Sequence, residues 1–76
     1  MTMTASDYLE VYNLCDGKTS KQIADALSER HVSVMLRLTR LEHAGYISRR
    51  NDAGYDKNGP FDVRDVNRQI THGWTK

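Results

Sequence analysis

The sequence predicts a mainly α-helical domain with a small β-hairpin near its end. Three observations point there. Apolar residues recur at helical spacing in three segments between Tyr8 and Leu41. Turn-forming residues separate segments at Asp16-Gly17 and after Ala44, at Gly45. From Tyr46 onward, short alternating stretches flank a run rich in Gly, Asn and Asp.

The first helix is expected from Ser6 or Asp7 to Cys15. Thr4 or Ser6 can cap it, Asp7 suits its first turn, and Asp16-Gly17 stops it. Tyr8, Val11, Tyr12 and Cys15 form its apolar stripe, widened by Leu9 and Leu14. A helix apolar on two sides is either sandwiched in a core or shared with a partner. The second helix opens at "TSKQIADAL". Thr19 is its N-cap, and Gln22 three residues later completes a capping box. Ile23, Ala24 and Leu27 face inward.

The stretch "SERHVSVMLRL" is ambiguous at first sight. Val32, Val34, Leu36 and Leu38 lie two apart, as in a half-buried strand. Yet "LTRLEHAG" follows without a turn signal, Val34, Leu38 and Leu41 fit a helix, and Gly45 suits its C-terminal end. A third helix is therefore expected from about Val32 to Ala44.

"YISRR" alternates and reads as a strand. "NDAGYDKNGP" is dense in turn residues, and "FDVRDV" alternates again, so the two flanking stretches are expected to pair around a long tip. In the tail, Val63, Val66, Ile70 and Trp74 have roughly helical spacing, which leaves room for a short last helix ending at Gly73. The expected core joins the inward faces of the second and third helices to Val11, Leu14, Ile47, Phe61 and Val63.

Bulk properties bound the function. The 76 residues suffice for one small domain, 1–76, and such a domain buries only about 60–65% of its unfolded surface. Pairing with a second copy would help. No apolar run approaches the ~20 residues of a membrane span. The start lacks a basic segment followed by an apolar one, so no secretory signal is expected. A single cysteine, Cys15, forms no internal disulfide, and a cytoplasmic protein fits. Net charge is +1, far from that of a nucleic-acid coat. Charge is uneven, however: acids exceed bases in residues 1–18, and bases exceed acids in 49–76. That pattern fits an acidic back and a mildly basic working edge, or ordinary surface scatter.

The segment "TSKQIADALSERHVSVMLRLTRLEHAGYISRR" resembles the winged helix-turn-helix DNA-binding family. The residues carrying the resemblance are Thr19, Ile23-Ala24, Leu27, Val34, Leu38, Leu41-Glu42, Gly45, Ile47 and Arg49-Arg50. They span about half the chain in the family's order. By length, and by "GKT" before the second helix, the chain looks similar to small single-domain regulators of bacterial pilus operons and of phages. The resemblance implies a helix-turn-helix over about 19–45, a two-stranded wing over about 46–64 and a tail over 65–76. It also implies that the third helix enters the major groove while the wing touches phosphates or an adjacent groove.

On a wheel of ~100° per residue, the outward arc of the third helix holds Val32, Leu36, Thr39, Arg40 and His43. Ser33 and Arg37 flank it on one side, Met35 and Glu42 on the other. Arg37 and Arg40 suit guanine edges or phosphates, Ser33 suits a phosphate, and Val32 and Leu36 suit thymine methyl groups. Arg49, Arg50 and Lys57, the last in the expected wing tip, suit phosphates. The expected partner is duplex DNA, bound by a homodimer that regulates transcription. The alternative is a protein-interaction module that covers Val32, Met35 and Leu36 with a partner's surface.

Other chemistries have little support. Gly17-Lys18-Thr19 lacks the upstream glycine and strand of a phosphate loop. No nucleophile–base or paired-carboxylate arrangement suggests an enzyme. His31, His43 and His72 are scattered, so neither a metal nor a cofactor is expected. Cys15, Tyr8 and Tyr12 read as packing residues, and Trp74 as a core lid or a dimer anchor.

Overall fold

The computed structural model describes residues 3–74. Among them the chain runs α1 (Ala5–Asn13), β1 (Asp16–Thr19), α2 (Ser20–Leu27), α3 (His31–Ala44), β2 (Ile47–Arg49), β3 (Gly54–Lys57) and α4 (Val63–His72). The domain is mixed: four helices and one three-stranded antiparallel sheet, ordered β1-β3-β2.

The helices start and stop where side chains satisfy their free backbone groups. Thr4 is the N-cap of α1, and its N–H donates to the Asp7 carboxylate at 2.8 Å. That helix ends at Asn13, two residues before Cys15, the expected last residue. The Thr19–Gln22 capping box forms as expected: Thr19 Oγ1 accepts from Gln22 N–H and Gln22 Oε1 accepts from Thr19 N–H. The third segment is a helix, not a strand, and Gly45 closes it with φ +90.

Three expectations need correction. The second hairpin strand is Gly54–Lys57, not "FDVRDV". The turn-rich composition of 51–60 hid it. Hydrogen bonding on both edges holds β3 despite its poor strand formers, with Tyr55 opposite Arg49 and Gly54 opposite Thr19. The tip is accordingly short: Arg50 N–H donates to Gly54 O at 2.7 Å. "FDVRDV" instead leads into α4, because the Asp62 carboxylate accepts from the N–H groups of Arg64 and Asp65. Val63 is therefore 48% exposed rather than a core residue.

The strand β1 had no apolar signature. Its register with β3 shifts between Asp16 and Thr19, where Gly17 adopts φ +102. Gly54 faces that bulge so closely that a Cβ would lie 2.4 Å from Gly17 O. A side chain at Gly54 would separate the strands.

The core lies between α1, α2, α3 and the sheet. Val11, Ile23, Val34, Leu38, Leu41 and Val66 are fully buried, each contributing about 1.5–3 kcal/mol relative to exposure. Leu14 and Phe61 pack at its edge, and Ile47 lies within it. Phe61 contacts the rings of Tyr12 and Tyr46, tying the loop before α4 to the helices. Cys15 is buried, its thiol donates to Val11 O at 3.3 Å, and burial pushes its pKa up to about 12. It is a packing residue, not a nucleophile.

Candidate nucleic-acid interface

The helix α3 has two sides. Val34, Leu38 and Leu41 anchor it, while Val32, Leu36, Thr39 and His43 lie on its exposed arc. Val32 is 72% exposed and Leu36 42%. The expected outward arc is present except that Arg40 sits at its half-buried margin, where its Nη1 donates to the Tyr8 hydroxyl at 2.8 Å.

Arg37 is not a surface contact. It is 1% exposed. Its guanidinium pairs with Glu29 in the α2–α3 turn at 2.5 Å and donates to Asp7 O of α1 at 3.0 Å. Bonds at 3.4 Å reach Ser33 O and Ser33 Oγ. Arg37 lies only ~40° from Leu41 around a helix of ~100° per residue, so it points to the core side. Glu29 and the carbonyls satisfy its charge and donors there. Ser33 is half-buried and engaged by the same guanidinium. Arg37 thus binds the corner between α2 and α3 to α1.

The corner supplies cations that sequence reading missed. Ser20 Oγ and His31 Nε2 are 2.7 Å apart, bringing the N-terminal turns of α2 and α3 together. Beside them stand Lys21 and Arg30, both exposed. Among the described residues, neither side chain has a polar or ionic partner. Arg30 is the N-cap residue of α3. Their signal in the sequence was position: each lies within two residues of a helix start, where backbone N–H groups also favour anions.

The β2–β3 hairpin carries two more cations. Arg49 Nη2 donates to the Tyr55 hydroxyl at 3.2 Å, with the guanidinium 5.7 Å from the Tyr55 ring centre. That hydroxyl, and then the Glu42 carboxylate of α3, favour the charged form of Arg49. Arg50 Nε pairs with Asp56 at 3.1 Å, both side chains about half exposed. Lys57 is not at the tip. It stands opposite Ile47 at the far end of β3, where Nζ donates to Asn13 O at 3.3 Å and lies 5.6 Å from the Tyr12 ring centre. Arg68 pairs with Asp65, while the Arg64 side chain has no partner among the described residues.

No family model, curated protein or solved structure matches the chain.

The site is therefore carried by its own geometry. One end of α3 presents an apolar arc with Lys21, Arg30 and His31 at its start. The hairpin presents Arg49 and Arg50. Such a surface suits a partner that offers both anionic oxygens and methyl groups. Among the described residues, no helix is long and apolar enough to cross a membrane.

Proposed function

We propose that the chain is a winged helix-turn-helix domain that binds duplex DNA and regulates transcription in the cytoplasm of a bacterium, or of one infected by its phage. The element order supports the reading: α1, the short strand β1, α2, a tight corner, the exposed-faced α3 and the β2–β3 hairpin, followed by α4. One observation carries it: Lys21 and Arg30, two cations whose side chains have no partner among the described residues, stand at the start of the exposed arc of α3. In this reading α3 enters the major groove from its N-terminal end. Val32 and Leu36 meet thymine methyl groups. Lys21, Arg30, Arg49 and Arg50 meet phosphates, the last by exchanging Asp56 for a phosphate oxygen. Arg37 holds the corner and touches no DNA. A second copy would double a contact set that is weak alone.

Four phosphate contacts give a slope of about −3 to −4 in log K against log salt. Fluorescence anisotropy of a labelled duplex across a salt series tests this. Arg30→Gln should weaken binding to all sequences alike and reduce the slope by about 1. A salt-independent signal, or no binding at low salt, would reject the reading.

A second reading rests on the exposure of Val32 and Leu36. With Arg37 withdrawn, that arc is more apolar than a base-reading helix needs. A protein partner would cover Val32, Met35 and Leu36. Leu36→Asp would then abolish partner capture, and Arg30→Gln would leave it unchanged.

A further inference from the structure

A groove of about 710 Å³ lies between the C-terminal half of α3, the end of α4 and α1. Small-molecule sites typically enclose ~300–1,000 Å³. Its walls include Tyr8, Leu36, Arg40, His43, Ile70 and Trp74. Trp74 lies against Tyr8, with ring centres 4.7 Å apart and planes tilted by 42°, and makes an aromatic wall. Leu36 and Ile70 add aliphatic surface. Arg40 is half-buried at this wall and spends one donor on the Tyr8 hydroxyl. A guanidinium has five donors, and the others here have no protein partner among the described residues.

We propose that this groove is a binding site for a small organic anion, a carboxylate on a compact apolar ring. The ring would lie on Trp74 between Leu36 and Ile70, with the carboxylate on the free edge of Arg40. Charge complementarity selects an anion, because no carboxylate side chain lines the groove while Arg40 does. The apolar walls select a body that inorganic phosphate lacks. Leu36, Thr39 and His43 line the groove and also belong to the exposed arc of α3. A bound anion would therefore exclude duplex from that end of the helix. This coupling rests on the DNA reading; the binding site does not.

The probe is 1-naphthoate, titrated into the full chain and followed by proton–nitrogen NMR. Saturable shifts are expected at the Trp74 indole N–H and the amides of Leu36 and Thr39, with a dissociation constant on the order of 1 mM. Arg40→Gln, with its spectrum otherwise unchanged, should bind about tenfold more weakly, as should the neutral 1-naphthalenemethanol with the natural chain. Shifts that do not saturate by about 10 mM, or equal binding of the alcohol, would overturn the site. So would self-association that Trp74→Ala abolishes, because a second copy would then fill the groove. Duplex binding that weakens in proportion to naphthoate occupancy supports the coupling. Duplex binding unaltered at saturation overturns it, and a chain that binds no duplex in the absence of probe rejects only the DNA reading.

Discussion

Two arginine–carboxylate pairs, one at the α2–α3 corner and one on the β2–β3 hairpin, use the same chemistry for opposite ends. At the corner, Arg37 is enclosed, its side chain 2% exposed, and it meets Glu29, Asp7 O and Ser33 at once. On the hairpin, Arg50 meets Asp56 with both side chains about half exposed. An enclosed guanidinium cannot leave without stranding polar groups, so its pair holds the fold. An exposed one exchanges its carboxylate for water or phosphate at little cost. Burial, not residue type, separates a scaffold arginine from an exchangeable one.

The sharpest way to break this comparison is Arg37→Met. It should lower stability by about 2–4 kcal/mol, because Asp7 O loses its donor and Glu29 its counter-charge while remaining partly hydrated. A urea midpoint shift at unchanged m-value reads this directly. If Arg37→Met were as stable as the natural chain, the corner would not depend on the guanidinium. Next in size is Thr19→Ala, which removes the side-chain half of the α2 capping box and should cost about 1 kcal/mol in the same experiment. Arg50→Gln should change stability by less than about 0.5 kcal/mol. Its effect should appear in the anisotropy series, as a reduction of about 1 in the salt slope.

The smallest effect concerns the contact between α4 and the chain preceding β2. The Tyr46 hydroxyl, then Arg68, hold the Asp65 carboxyl below its ordinary value of 3.8. A depressed folded value means that Asp65 stabilises the fold fully above pH 3.8 and loses that contribution as pH falls through its folded value. Thermal melts at descending pH should show a small acid loss that Asp65→Asn flattens.

Helices were the legible part of this sequence. Each has a periodic apolar stripe, and Thr19, Gln22 and Gly45 marked boundaries that the structure keeps. The sheet was less legible because its strands are short and hold few strand formers. Asp16–Thr19 has no apolar residue, and Gly54–Lys57 has only Tyr55. Pairing between strands distant in sequence, which composition does not display, makes these segments extended. "FDVRDV" was misread because Val63, Val66 and Ile70 also fit a helix, and the Asp62 cap decides between the two patterns.

The candidate site was half legible. The exposed arc of α3 followed from the wheel. Arg37 did not, because its partners Glu29 and Asp7 lie on other elements and only the folded corner brings them to it. The reverse happened at Lys21 and Arg30, whose place in the candidate site comes from the close approach of two helix starts. Lys57 shows how register matters: moving the strand into the expected tip carries that lysine to the opposite end of the hairpin.

The most direct measurement is an NMR titration of the labelled chain with a short duplex at low salt, following backbone amides and the Arg37 Nε–H together. The account predicts progressive shifts at His31, Val32 and Leu36 and around Arg49 and Arg50, with the Arg37 Nε–H unmoved. Shifts absent from the exposed arc of α3, or an Arg37 signal that moves as much as those of the β2–β3 hairpin, would contradict it.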